Sequence, residues 1–242
     1  MRAEEGQPLL PRVHPLVRWL SLVWLNLKKP FLTRRAREIV LEKVSGRPFL
    51  VLPSVLNPVI FRGGRFLAES LEAMPLEEGS GQALDLGTGS GVGAVFAAAR
   101  GFQVTALDLN PEAVRCARIN VLVNEMEDRI EVLEGDLFDA VKGRRFDLIL
   151  FNPPFFQGTP RDAGFDLAWR SPPDLPDRFA RQAARHLEPG GCILLLLSTD
   201  GDQRAWIDPL LQAGFQARPA ARRHLGSEIM TIFRLQLPGE QP

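Results

Sequence analysis

The stretch Ala83-Leu84-Asp85-Leu86-Gly87-Thr88-Gly89-Ser90-Gly91-Val92-Gly93-Ala94-Val95-Phe96 decides the fold. Ala83–Leu86 has the character of a buried strand, and three glycines then follow at alternate positions. Glycine lets the backbone turn sharply and leaves no Cβ between it and a ligand. A helical run, Gly93–Arg100, comes next. Moving outward, strand-like runs recur at Gln103–Leu107, Ile130–Leu133, Phe146–Phe151 and Cys192–Leu197, with helical runs at Pro111–Asn124 and Leu175–Leu187 between them. Asn110 stands where a helix takes its N-cap and Pro111 where a first turn tolerates proline. A helix over Gln203–Ala213 and two strand-like runs, 215–220 and 228–237, bring the strands to seven. Alternation of this kind implies parallel strands joined by right-handed helical crossovers, an α/β doubly wound sheet.

Toward the N-terminus the pattern changes. Residues 1–11 read as a loose tail. Val13, Leu16, Val17, Leu20, Val23, Trp24 and Leu27 follow helical spacing over Arg12–Lys29, and Pro30 ends that helix. Thr33 is placed to cap a second helix through Val44, with Gly46 just beyond. A proline-punctuated stretch (48–58) and a helix near 65–74 lead into the alternating region. The expected division is a tail with a small basic helical extension, 1–47, and a main domain, 48–242. From Pro11 to Arg47 there are nine Lys or Arg against two Glu, a net +7. This block fits a helical cap on the main domain, a membrane-surface helix or an RNA-facing patch.

Composition narrows the function. The 242 residues hold 29 basic and 29 acidic side chains, so the net charge is zero and residues 48–242 are mildly acidic. Two cysteines and three scattered histidines give neither a disulfide framework nor a zinc ligand set, so no metal is expected. The apolar Leu16–Leu27 run is broken by Arg18 and is shorter than the about 20 residues a membrane span needs. The acidic N-terminus lacks a signal-peptide pattern, and a cytoplasmic location is expected.

Open parallel sheets bind ligands outside the carboxyl ends of their strands. Those ends carry Asp85-Leu86-Gly87-Thr88-Gly89-Ser90-Gly91, then Asp108, then Asp136-Leu137, then Asn152-Pro153-Pro154-Phe155. Asp108 can accept hydrogen bonds from two ribose hydroxyls. Asp136 can accept from an exocyclic amine, with Leu137 offering a backbone N–H and apolar contact. Two prolines stiffen the chain after Asn152 and remove two N–H donors. The Asn152 side-chain oxygen and the Pro153 carbonyl then make two fixed acceptors, which suit the two donors of a planar NH₂ group. Phe155 offers a ring to stack on that plane. The loop from Gln157 to Asp174, with Trp169 and Arg170, is placed to cover this site.

With these residues in view, the chain resembles the class I S-adenosylmethionine-dependent methyltransferases over roughly residues 60–237. DLGTGSG looks like their glycine motif, Asp108 like their ribose-binding acid, and NPPF like their amino-methylating motif. The resemblance implies a Rossmann-like fold with S-adenosyl-L-methionine as cofactor, held by Asp85, Gly87, Thr88, Gly89, Ser90, Gly91, Asp108, Asp136, Leu137 and Asn152. It makes Asn152, Pro153, Pro154 and Phe155 the catalytic group. AWRSPPDLPDRFARQAARHLEPGGCILLLL (168–197) and VLPSVLNP (51–58) resemble the HemK-type branch, which methylates glutamine amides in release factors. That branch implies a protein substrate, such as a translation factor. NPPF also occurs in rRNA guanine-N2 methyltransferases, so RNA bases (guanine N2 or adenine N6) are an alternative acceptor, as is a small molecule. A nicotinamide oxidoreductase or a non-catalytic binding module accounts for less of the pattern.

Overall fold

A computed structural model describes residues 9–11, 13, 16, 23, 38–75, 81–158 and 169–238. The helix expected over 12–29 lies almost wholly outside these residues. Residues 38–44, the described part of the second expected helix, are not helical. Val40–Val44 is strand β1, paired antiparallel with β2, Arg47–Val51. Burial alternates along Val40-Leu41-Glu42-Lys43-Val44, with Leu41 and Lys43 exposed and Val44 buried, although the residue types do not alternate. Ser45 and Gly46, at φ 44° and 83°, form the two-residue turn that the twist of a hairpin favours. Gly46 is thus a hairpin residue and not a helix terminator, and the hairpin spans the expected boundary at 47/48.

Helix α1 follows at Gly63–Ala73. Strand β3 (Gln82–Leu86), α2 (Val92–Ala99), β4 (Gln103–Asp108), α3 (Pro111–Val123), β5 (Ile130–Glu134) and β6 (Phe146–Phe151) realise the alternation. Asn110 caps α3, its side-chain oxygen accepting from Glu112 N at 3.0 Å. Two short strands, β7 (Phe156–Gln157) and β8 (Arg170–Ser171), pair in parallel and close the base of the loop expected to cover the site; residues 159–168 lie outside the described ones. The chain ends through α4 (Leu175–Ala183), β9 (Leu187–Ser198), α5 (Gln203–Gln212), β10 (Gln216–Leu225) and β11 (Glu228–Gln236).

The main sheet has seven strands in the order β10-β11-β9-β6-β3-β4-β5. The five from β5 to β9 run parallel, and the β10–β11 hairpin is antiparallel at one edge. This is the doubly wound, Rossmann-like sheet that the alternation implies. Its central strands are buried on both faces, which explains continuous apolar runs such as Leu194-Leu195-Leu196-Leu197. Leu148, Leu150, Leu194 and Leu196 join Phe66, Val95 and Phe96 on the side of α1 and α2. Ile149, Phe151, Leu195 and Leu197 join Phe179 and Trp206 on the side of α4 and α5. Register aligns Leu86 with Phe151 and Phe151 with Leu195, so β3, β6 and β9 deliver their carboxyl ends side by side. No helix among the described residues is long and apolar enough to cross a membrane.

Candidate active site

The glycine loop leaves β3 in left-handed conformation, with Gly87, Gly89 and Gly91 at φ 62°, 57° and 80°. Among the described residues, a Cβ on Gly87 would meet only Phe151, at 3.7 Å, and one on Gly89 only the Gly87 carbonyl, at 3.9 Å. The backbone here faces an open cradle that side chains would fill. Gly91 instead packs close, its Cβ position 3.2 Å from Ala117 of α3.

Asp85 works beneath this loop. Its Oδ2 accepts from Thr88 Oγ1 at 2.6 Å and from Ala94 N at 2.8 Å. The Gly93 Cβ position is only 2.7 Å from Oδ1, so α2 starts directly on the carboxylate. Asp85 is 4% exposed. Burial pushes its carboxyl up to about 7, against those two hydrogen bonds and with some help from the charge of Asp108. The structure therefore brings Asp85 to the turn as the residue that ties loop to helix.

Asp108 stands at the rim. Oδ2 accepts from Gly89 N at 2.8 Å and Oδ1 from Asn110 N at 2.9 Å, so the backbone fixes the carboxylate in place at the end of β4. Burial raises its carboxyl, and the backbone N–H groups of Asn110, Gly89 and Leu109 oppose the shift. Asp136 is ion-paired through Oδ2 with Arg178 of α4. Leu137 beside it is buried and left-handed, at φ 48°. An apolar residue in that conformation is strained and marks a position held by its surroundings.

Asn152 leaves β6 beside the start of α1. A Cβ on Gly63 would lie 3.2 Å from Asn152 Nδ2 and 3.3 Å from Oδ1, so glycine is what lets the helix approach. Asn152 Oδ1 is buried and has no hydrogen-bond partner among the described residues. Leaving a buried acceptor unmatched is costly unless function uses it. Pro153 is buried, while Pro154 and Phe155 are half-buried. The Phe155 ring packs partly against the core on the α1 side, so only part of it is free to stack. Trp169 stacks on Phe156 with centroids 5.5 Å apart and meets Phe61 edge-on at 5.1 Å.

Two supporting residues escaped the sequence reading. Asn120 is fully buried; its Nδ2 donates to Leu50 O at 2.7 Å and Ser90 O at 2.8 Å, and its Oδ1 accepts from Leu50 N at 2.7 Å. One amide thus joins the hairpin, α3 and the glycine loop. Its signal was faint: a polar residue on the inward face of an amphipathic helix. Arg178, the partner of Asp136, lies 42 positions away and carried no local signal. Among the described residues no group of three or more His, Cys, Asp or Glu is arranged to hold a metal.

A glycine cradle, a rim carboxylate and an Asn-Pro-Pro turn at the carboxyl ends of neighbouring strands define a class I methyltransferase. Residues 58–217 match the methyltransferase small domain family, and the chain belongs to it. The chain is 32% identical to a Methanocaldococcus jannaschii protein named for N5-glutamine methylation, over 62% of this chain and 78% of that one. It is 34% identical to a release factor glutamine methyltransferase of Koribacter versatilis, over 64% of this chain and 59% of that one. It is 29% identical to ribosomal RNA small subunit methyltransferase C of Alcanivorax borkumensis, over 64% of this chain and 45% of that one. The chain thus spans from under half to about four fifths of these relatives. A ribosomal protein L11 methylase structure from Lactobacillus delbrueckii subsp. bulgaricus shares the fold at TM-score 0.55 and 20% identity, covering 76% of this chain and 82% of that one. The protein is a methyltransferase that depends on S-adenosyl-L-methionine, and the open cradle at Gly87 and Gly89 with the Asp108 carboxylate fixed at its rim fits that cofactor.

Proposed function

We propose that the chain methylates a planar NH₂ nitrogen, the side-chain amide of a glutamine in a protein, with a translation factor as the acceptor. The observation that carries this reading is the buried, unmatched Oδ1 of Asn152 at the end of β6. The relatives named for glutamine methylation support it. S-adenosyl-L-methionine, held by the glycine loop, Asp108, Asp136 and Leu137, supplies an electrophilic methyl carbon when bound.

The amide nitrogen is a poor nucleophile because its lone pair is delocalised. Asn152 Oδ1 and the Pro153 carbonyl orient its two N–H bonds and favour pyramidalisation as positive charge develops on nitrogen. Pro153 and Pro154 hold both acceptors rigid, and Phe155 positions the amide plane. The proton leaves late, to Asn152 or to water, so no strong base is needed. In this reading residues 48–242 are the catalytic domain, and the basic 11–47 segment meets a polyanion, either RNA or an anionic membrane surface.

A second reading, methylation of an RNA base at guanine N2 or adenine N6, is favoured by the ribosomal RNA relative and by that basic segment. Incubating fractionated lysate with labelled cofactor separates the two: label in protein supports the first and label in RNA the second. Asn152→Ala should keep its affinity for S-adenosylhomocysteine and lose about a hundredfold or more in transfer rate. Near-normal transfer by that variant would remove Asn152 from the mechanism.

A further inference from the structure

Asn152 has a second neighbourhood, at the start of α1 and the end of β9. Gly63 touches it, and the residue before Gly63 is Arg62, exposed and left-handed at φ 60°. Strain at a non-glycine residue persists where surrounding structure enforces it, often beside a working site. The Cβ position of Gly63 also lies 3.4 Å from Leu196 Cδ2. Two residues further along β9, on the same face, is Ser198. Its hydroxyl donates to Glu228 Oε1 at 2.6 Å and accepts from Asp200 N at 3.1 Å. Glu228 opens β11, whose Met230 pairs with Ser198. Gly201 then packs on the carbonyl of Phe155, its Cβ position 2.5 Å from that oxygen. A half-buried carboxylate and a guanidinium therefore flank the Asn-Pro-Pro-Phe turn from β11 and from the start of α1. Neither has a part in holding the cofactor or in the transfer step.

The two charges differ in what they can recognise. A carboxylate only accepts hydrogen bonds and a guanidinium only donates them. A peptide unit offers one N–H and one C=O, which satisfy both. A nucleic-acid backbone offers phosphate, which Arg62 could hold but which Glu228 and the nearby Asp200 would repel. Burial and the charge of Asp200 raise the Glu228 carboxyl, while the Ser198 hydroxyl and the charge of Arg62 oppose this. An arriving N–H donor would stabilise the charged form.

We propose that Glu228 and Arg62 form an acceptor subsite that reads the backbone N–H and C=O of the polypeptide carrying the methylated side chain. This rests on the protein-glutamine reading and deepens it, because the same pair discriminates against an RNA backbone. Ser198 is a positioning residue that fixes the Glu228 carboxylate.

The test uses the full chain, a purified bacterial release factor and small-subunit rRNA as acceptors. Glu228→Gln and Arg62→Gln should each raise KM for the release factor about tenfold, the loss of one charged hydrogen bond, with kcat within about twofold. Ser198→Ala should raise KM less, and Ser198→Thr, which restores a hydroxyl, should recover it. Affinity for S-adenosylhomocysteine should stay unchanged in all four variants, which verifies their folding. Glu228→Gln should also bind the rRNA more tightly than the parent chain, while Arg62→Gln should not. Label entering the release factor with unchanged KM in both charge variants would overturn the subsite alone. Label entering rRNA and not the release factor would overturn the subsite together with the protein-glutamine reading.

Discussion

Asp85 shows how one buried carboxylate couples the cofactor loop to pH. Burial pushes its carboxyl up to about 7, above the ordinary carboxylate range. The unfolded chain therefore releases this proton near pH 4 and the folded chain only near 7. Between those limits the folded state binds more protons, so stability contributed at this site is full below about pH 4 and is lost as pH rises toward 7. The upper bound on that loss is roughly 4 kcal/mol, from about three units at about 1.4 kcal/mol each. Asp85→Asn keeps an oxygen for Thr88 and Ala94 but cannot ionise. Its urea midpoint should fall below the parent's at pH 5 and gain on it by pH 8. Midpoints that stay parallel across that range would show that the carboxylate does not titrate in the folded chain. Glu69 and Glu131, lowered by their arginine partners despite some burial, shift parent and variant alike and drop out of the comparison.

At the scale of elements, the central strands and their turns were legible and the hairpin was not. Strands buried on both faces announce themselves as apolar runs, and each was followed by its polar residue at the carboxyl end. Asn110 and Pro111 marked the start of α3 by capping chemistry that depends on three adjacent residues. The hairpin failed for the converse reason. Val40–Val44 is too short for periodicity to separate helix from strand, and Ser45-Gly46 serves either as a helix end or as a turn. Its partner contacts are remote: Leu50 meets Asn120 from 70 positions away. The pairing of Asp136 with Arg178 was hidden in the same manner. These contacts are also where the hairpin acts on the site, since Asn120 holds Leu50 and the Ser90 carbonyl together. Asn120→Ala removes the three hydrogen bonds of this amide to Leu50 and Ser90 and should destabilise the chain by about 3 kcal/mol. Affinity for S-adenosylhomocysteine should fall as the glycine loop loses its anchor. A stability loss with affinity intact would show that Asp85 and Asp108 hold the loop without Asn120.

Across the whole molecule, the site is assembled from four strand ends, a helix start and a hairpin tied to the glycine loop through Asn120 of α3, so ligand binding and folding are linked. The glycine cradle exists only when β3, α2 and α3 are docked, because Gly91 rests on Ala117 and Asp85 on the start of α2. A ligand that binds this cradle and not the unfolded chain stabilises the fold by about 2.7 kcal/mol at a hundred times its dissociation constant. For a chain of this size that corresponds to a rise in Tm of roughly 5–10 °C. S-adenosylhomocysteine should produce that rise in a thermal scan at low protein concentration. NADH should produce none, since a dinucleotide leaves the Asn152 acceptors unexplained. A rise with NADH and not with S-adenosylhomocysteine would assign the cradle to a nicotinamide cofactor. Asn120→Ala should shrink the response to S-adenosylhomocysteine, because its glycine loop is already partly released before the ligand arrives.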